Sequence, residues 1–306
     1  MNTSDNDMRR DDRQEQSGEI ATGTIFSWFF RLLRALLRRG DQAGGRAVVT
    51  GTPPGPGQTI VACLGASATD AAGSYDWIAD LARRPENASL RFYRFAEGGD
   101  LAYNGLQRVA AISASQPDYV IVLLGENDVL ALISPQVAQF DRLTKHLPVQ
   151  PTPKWYRENM QVIVRRLKRD TSAHIALCSL IPIGEDPDSQ HPFQAAANRR
   201  IEEYSAIIKD IACQEKVSYL PLYERLRDLI RASPGRAFTS FDFLPFYHDA
   251  FRQFVLRKSN DEIGQLNGWR FHRDGIHLNS RSGTLLADLA QEFLNTTTSG
   301  DNCKEW

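Results

Sequence analysis

The chain has 306 residues, of which 42% are hydrophobic and 24% charged, a composition typical of a globular protein that can bury a sizeable core. Its formal net charge of −1 gives no electrostatic reason to expect a nucleic-acid partner. None of its four cysteines has a metal-binding spacing, and Cys63 and Cys178 stand in apolar runs, so we expect buried thiols rather than disulfides, and a cytoplasmic location.

The N-terminal region differs from the rest of the chain. Residues 1–24 are mostly polar, which predicts a disordered tail. Residues 25–40 place apolar side chains on one helical face and arginines on the other, which predicts a basic amphipathic helix. Because this segment is too short and too charged to span a membrane, it either contacts an anionic membrane surface weakly through residues 25–39 or packs against protein. The proline and glycine content of residues 41–58 predicts a linker.

From residue 59 to about residue 298, strand-like and helix-like segments alternate. The strand-like runs are TIVACL (59–64), LRFYRF (90–95), YVIVLL (119–124), HIALCSL (174–180) and VSYLPL (217–222). Their continuous apolar character is typical of parallel strands that are buried on both sides. The alternation therefore predicts one α/β domain with a parallel, roughly five-stranded sheet and helices on both faces. In such a sheet, ligands bind beyond the carboxyl ends of the strands.

A serine and a histidine stand where such a site is expected. Ser67 follows the first strand among small residues, in GASAT, and Asp274 and His277 precede the final helix, in DGIH. A carboxylate three residues before a histidine, on a tight turn, can accept the imidazole Nδ1–H and leave Nε2 free to take a serine proton. Serine needs such a base because its hydroxyl is hardly ionised at neutral pH.

The ends of two further strands carry groups that can stabilise negative charge. Gly98 and Gly99 follow the second strand, and Asn127 and Asp128 follow the third. A glycine N–H and an asparagine amide can donate to a carbonyl oxygen that becomes negative. Taken singly, each motif also has a structural explanation, as a small-residue turn, a helix cap or a position that needs positive φ. Their combination in this order favours nucleophilic catalysis.

The motifs GASAT, EGGDL, GEND and DGIH together resemble the four sequence blocks of the GDSL-like or SGNH hydrolase superfamily, over roughly residues 58–295. The resemblance implies a flavodoxin-like three-layer α/β/α sandwich and ester hydrolysis through a serine. It implies that Ser67 is the nucleophile, His277 the general base and Asp274 the residue that orients it. The implied oxyanion hole comprises the backbone N–H groups of Ser67 and Gly99 and the side chain of Asn127.

This sequence departs from the family pattern in two ways. Ala66 replaces the aspartate that is usual in the first block, which removes a polar loop contact but no member of the triad. The chain also carries an irregular stretch at 131–154 and an aromatic-rich insertion at 231–271. Either stretch builds a pocket for the acyl or leaving group, or it covers the core or contacts another subunit.

The leading hypothesis is a metal-independent serine ester hydrolase that forms an acyl-serine intermediate on a small-molecule, lipid or carbohydrate ester. The other histidines singled out, His191, His248 and His272, have no metal-ligand spacing, so we expect no metal and no cofactor. Acyl transfer uses the same groups and stays open as an alternative. A non-catalytic protein that binds an anion at the GASAT loop is the other alternative, although it has no use for Asp274 and His277 together.

Overall fold

The structure is a computed structural model that describes residues 48–50, 58–241 and 243–298. The predicted tail (1–24), the predicted amphipathic helix (25–40) and most of the predicted linker (41–58) lie outside the described residues.

A six-stranded sheet forms the centre of the domain, in the order β1-β3-β2-β4-β5-β6. The strands are β1 (Val48–Thr50), β2 (Thr59–Gly65), β3 (Leu90–Ala96), β4 (Tyr119–Leu123), β5 (His174–Cys178) and β6 (Ser218–Leu220). Strands β2 to β6 run parallel to one another, which confirms the predicted five-stranded parallel sheet. The structure adds β1, which pairs antiparallel with β3 at the edge of the sheet and falls inside the segment predicted as a linker.

Helices surround the sheet and connect its strands. They are α1 (Ser67–Asp70), α2 (Trp77–Arg83), α3 (Ala102–Ala114), α4 (Glu126–Ile133), α5 (Pro135–Thr144), α6 (Pro153–Asp170), α7 (Pro192–Glu215), α8 (Leu222–Ala232), α9 (Phe243–Phe254), α10 (Asn260–Asn267) and α11 (Ser280–Thr298). A 3₁₀ turn spans Pro85–Asn87.

Two apolar cores lie on opposite faces of the sheet. Helices α3, α6 and α7 pack on one face, and α2, α8 and α11 pack on the other. All five residues of β4 are buried, which explains why its sequence is continuously apolar instead of alternating. The cysteines Cys63 and Cys178 are buried in β2 and β5 with free thiols, as expected. The resulting three-layer α/β/α arrangement confirms the predicted fold class.

The stretch 131–154 was expected to be irregular, and this expectation is wrong. Residues Pro135–Thr144 form α5, because Ser134 caps the helix by accepting a hydrogen bond from Val137 N–H (3.4 Å) and Pro135 occupies the first helical turn. Proline is favoured there because its missing N–H would have no partner in the helix.

Both ends of the insertion 231–271 meet at one buried residue, Glu185. Gly235 N–H donates to the Glu185 carbonyl (2.8 Å), and Glu185 N–H donates to the Arg236 carbonyl (2.9 Å). The Glu185 carboxylate accepts hydrogen bonds from Phe271 N–H (2.7 Å) and His272 Nδ1 (2.9 Å), among others. Burial alone would raise the pKa of Glu185, but the hydrogen bond and charge of His272, with the backbone donors, hold it below its ordinary value.

Candidate active site

Ser67 lies at the carboxyl edge of the sheet, where β2 passes directly into α1. It is half-buried and is the first residue of α1, so its N–H has no carbonyl partner within the helix. Gly65 allows this tight connection, because a Cβ on that residue would clash with the side chain of Thr69. The residues before the serine therefore shape a turn that leaves Ser67 at the edge, with an N–H that the helix does not use.

Asp274 and His277 form a hydrogen-bonded pair on a tight loop. His277 Nδ1 lies 2.7 Å from Asp274 Oδ2, and Asp274 Oδ1 accepts from the backbone N–H groups of His277 (2.9 Å) and Ile276 (3.1 Å). Burial would raise the pKa of Asp274, but the charge and hydrogen bond of His277, helped by Arg273, lower it to about 2. An ionised carboxylate is the natural acceptor for Nδ1–H, which leaves Nε2 as the basic nitrogen.

Backbone and side-chain hydrogen bonds join the histidine loop to the loop that follows α1. Tyr75 N–H donates to the Leu278 carbonyl (2.9 Å), and Leu278 N–H donates to Ser74 Oγ (3.1 Å). Arg273 Nη1 donates to the Gly73 carbonyl (2.7 Å). The histidine loop is thus held beside the loop that follows α1, the short helix that begins with Ser67.

Within the described part of the chain, Ser67 Oγ and His277 Nε2 make no direct hydrogen bond with each other. Such catalytic hydrogen bonds are often long without substrate and tighten in the reacting complex. The roles of Ser67, Asp274 and His277 therefore stay predictions, with the Asp274–His277 contact as the part of the triad that the structure shows.

The glycine pair forms the centre of a turn that faces Ser67. Asp100 N–H donates to the Glu97 carbonyl (3.1 Å), and Gly99 has φ +78°, which is the signature of a type II turn with Gly98 and Gly99 as its central residues. A Cβ placed on Gly98 would lie 3.9 Å from the Cβ of Ser67. The turn is therefore close enough to the serine for its N–H groups to serve as oxyanion donors.

Asn127 stands beside the same turn, in the first turn of α4. Its Nδ2 donates to the Asp100 carbonyl (2.9 Å), which fixes the amide and leaves its second N–H available. Asp128, the next residue, points away from the site into the core, where its Oδ2 accepts from Ala102 N–H (3.0 Å). Burial, with Asp141 and Glu126 nearby, raises the pKa of Asp128 to about 8.

Two cations that sequence reasoning missed pair with Asp100, the last residue of this turn. The buried carboxylate of Asp100 accepts hydrogen bonds from Arg108 Nη2 (2.6 Å) and Lys145 Nζ (2.8 Å). Lys145 follows α5 within the stretch 131–154 and is distant in sequence from the turn, so no local sequence pattern predicts this contact.

The insertion 231–271 contributes an aromatic wall next to the histidine. The ring of Phe246 lies 6.0 Å from the imidazole of His277, in an edge-to-face arrangement. Phe241 stacks on Phe246 at 5.3 Å, and Phe238 packs near Trp269 at 6.2 Å. The insertion therefore reaches the candidate site, which supports its interpretation as part of a substrate pocket.

Other features of the described residues lie apart from this site. Two surface cavities of about 400 and 710 Å³ lie beside α7, the first also lined by α8 and the second by the end of α4, and neither includes the candidate catalytic side chains. Among the described residues, no group of three or more His, Cys, Asp or Glu side chains is placed to hold a metal ion. No helix in that part of the chain is both long and apolar enough to cross a membrane.

Comparison with known proteins places the chain in a family. A putative GDSL-like lipase from Parabacteroides merdae superposes with a TM-score of 0.53 and 14% identity, over 78% of this chain and 96% of that one. The acetylxylan esterase Axe2 from Geobacillus stearothermophilus superposes with a TM-score of 0.52 and 14% identity, over 79% of this chain and 96% of that one. The lipase/acylhydrolase from Enterococcus faecalis superposes with a TM-score of 0.50 and 16% identity, over 81% of this chain and 100% of that one.

These structural similarities establish the fold. No curated protein matches the chain. Residues 60–281, which include all four motifs, match the GDSL-like Lipase/Acylhydrolase family. The chain belongs to the GDSL-like lipase/acylhydrolase family.

Proposed function

We propose that the protein is a serine ester hydrolase in which Ser67 is the nucleophile and His277 the general base. The observation that carries the proposal is the 2.7 Å contact between His277 Nδ1 and Asp274 Oδ2, on a loop that is hydrogen-bonded to the segment following the Ser67 helix α1. A buried carboxylate in this position holds the imidazole in one orientation and stabilises the imidazolium that forms during the reaction. An anion-binding protein would not need this pair.

The proposed reaction has two steps. His277 Nε2 accepts the hydroxyl proton as Ser67 Oγ attacks the ester carbonyl, and the oxygen that becomes negative accepts hydrogen bonds from Ser67 N–H, Gly99 N–H and Asn127 Nδ2. The imidazolium then protonates the leaving alcohol, and an acyl-serine remains. Water, deprotonated by the same histidine, attacks the acyl-serine, and the carboxylic acid and the free serine hydroxyl are released.

Catalytic mutants of the Geobacillus esterase support this assignment. In them a serine, an aspartate and a histidine are changed, and the histidine lies three residues after the aspartate. Asp274 and His277 have the same spacing. The substrates of that enzyme are acetylated xylans, so carbohydrate esters belong among the substrates to be tested here, together with simple small-molecule esters.

The test is hydrolysis of p-nitrophenyl esters from acetate to decanoate, and of acetylated xylo-oligosaccharides, by the full chain. Ser67→Ala and His277→Ala should remove nearly all turnover, and a fluorophosphonate probe should label Ser67 in the wild type. Ser113→Ala, in α3 and outside the site, is the matched control and should keep wild-type turnover. Substantial turnover by Ser67→Ala, or labelling at another serine, would refute the assignment.

A further inference from the structure

We propose that Lys145 is a positioning residue that keeps the Gly98–Gly99 peptide oriented with its N–H toward Ser67. The inference rests on the proposed serine mechanism, because it assigns Lys145 a role in stabilising the oxyanion. It concerns a residue outside the four motifs, in the stretch 131–154 that departs from the family pattern.

The turn that carries the proposed donor has two alternative forms. In a type II turn the central peptide, here Gly98–Gly99, is rotated by about 180° relative to a type I turn. Because the peptide is planar and trans, its C=O and its N–H point in opposite directions, so the rotation exchanges them. Since neither residue has a Cβ, steric hindrance does little to prevent this rotation. A contact elsewhere must therefore select the productive form.

Lys145 makes that contact. Its Nζ donates to the Gly98 carbonyl (2.7 Å) and to Asp100 Oδ1 (2.8 Å), and its side chain is only 8% exposed. The Gly98 carbonyl therefore points at the ammonium group, and the Gly99 N–H points away from it. In the rotated turn, the buried ammonium of Lys145 would lose the Gly98 carbonyl as an acceptor, and that carbonyl oxygen would face the developing oxyanion.

Lys145 and Ser67 lie on opposite sides of the turn. A Cβ on Gly98 would lie 3.9 Å from Ser67 Cβ, whereas a Cβ on Gly99 would lie 3.0 Å from Lys145 Cε. Among the hydrogen bonds of the described residues, none uses the Gly99 N–H, which is therefore available to a substrate oxygen.

The position of Lys145 is itself fixed by backbone contacts. Its N–H donates to the Asp141 carbonyl (2.8 Å) at the end of α5, and its carbonyl accepts from Asn104 Nδ2 (3.0 Å) in α3. The helix α5 thus presents a lysine to the turn from a defined direction.

Arg108 provides a matched control for the charge of Lys145. Lys145 Nζ lies 2.8 Å from Asp100 and 3.5 Å from Glu97, and Arg108 pairs with the same two carboxylates at 2.6 and 2.9 Å. Among the hydrogen bonds of the described residues, Arg108 makes none to the Gly98 carbonyl. Both Lys145→Met and Arg108→Met remove one cation from this cluster. Only the first removes the hydrogen bond that selects the turn.

The experiment measures kcat, KM and Tm for the wild type and both variants on one p-nitrophenyl ester, and the binding of a boronic acid that forms a tetrahedral adduct with serine. Lys145→Met should lower kcat by about 10- to 100-fold, less than the ~10²–10³ expected when an oxyanion donor is removed outright. Its KM should stay within about twofold, because the ground-state ester does not need the oxyanion donor, and boronate affinity should fall in parallel with kcat. Arg108→Met should lower Tm but change kcat by less than about threefold, since the oxyanion donor stays in place.

Wild-type kcat and boronate affinity in folded Lys145→Met would overturn the proposal. An equal loss of kcat in Arg108→Met would also overturn it, because loss of charge would then explain both results. If Lys145→Met does not fold, Lys145→Gln applies the same test with a polar side chain that is one bond shorter. Absence of serine-dependent turnover in the wild type would instead count against the proposed function.

Discussion

The buried carboxyl of Asp128 should make the protein less stable as pH rises, and Asp128→Asn should remove this effect. The side chain is fully buried, and only its Oδ2 has a hydrogen-bond partner, Ala102 N–H at 3.0 Å. Burial raises the pKa of Asp128 from 3.8 to about 8. Asparagine has nearly the same shape and keeps the acceptor for Ala102 N–H, but it cannot ionise.

The sign and the size of the effect follow from proton binding. A carboxyl with a raised pKa in the folded state binds its proton more tightly when folded, so its stabilising contribution is complete below pH 3.8 and is lost as pH rises toward about 8. Within this interval each pH unit lowers the free energy of unfolding by about 1.4 kcal/mol. Between pH 5 and pH 7 the wild type should therefore lose about 3 kcal/mol through this residue alone.

Urea denaturation at pH 5 and pH 7 measures the effect. The free energy of unfolding should fall less in Asp128→Asn than in the wild type over this interval, by about 3 kcal/mol. Asp170→Asn is the control, because the Arg169 hydrogen bond lowers the pKa of that exposed carboxyl, which is ionised at both pH values. The reasoning is refuted if the wild type and Asp128→Asn lose the same free energy between pH 5 and pH 7.

Three further substitutions and one truncation test the site and the N-terminal segment. Asn127→Ala should lower kcat by ~10²–10³-fold, and a change in KM alone would contradict its role as an oxyanion donor. Asp274→Asn should lower kcat by about 10⁴-fold, because the asparagine favours the wrong tautomer of His277. A variant with the kcat of the wild type would refute the proposed triad. Phe246→Ala should lower kcat/KM about tenfold for decanoate esters and much less for acetate, since an apolar contact is lost; equal losses would argue against a pocket role. At low salt, vesicles of anionic lipid should sediment the full chain but not a chain that starts at Asp41, which lacks the predicted helix but keeps β1. High salt should release the full chain because it screens the attraction; equal sedimentation of the two chains would reject membrane contact through residues 25–39.

The fold was predictable because its signals are local. Each parallel strand appears in the sequence as a largely apolar run, and the predicted and observed strand ends agree to within two residues. The run 217–222 is longer than the observed strand Ser218–Leu220, because Pro221 has no N–H for the sheet and instead precedes α8. The start of helix α5 also has a local signal, the capping residue Ser134 followed by Pro135, which the prediction of an irregular stretch did not take into account.

The candidate site was predictable only in part. The motifs located the serine, the glycine turn, the asparagine and the histidine loop, since each stands next to a strand end or a helix start. Contacts between distant segments had no such signal. Lys145 meets the glycine turn, and Glu185 meets His272, only because the fold brings their loops to the same edge.

Glu185 contacts both ends of the insertion 231–271, so a change in the length of the insertion need not move the histidine loop that follows it. Gly235, Arg236 and Phe271 are fixed to this one residue, so the chain between them is a loop that is closed at its base. For a loop whose ends are already held together, doubling its length costs only about 0.6 kcal/mol in closure entropy. Changes in the sequence or length of residues 239–258 can therefore reshape the aromatic wall while Asp274 and His277 keep their positions. The helix α10 must be kept, because Asn267 donates to the Arg273 carbonyl (3.3 Å) and Asp261 accepts from Ser280 N–H (2.7 Å) on either side of the histidine loop. Residues 239–258 are therefore the segment to exchange when the ester specificity is to be changed.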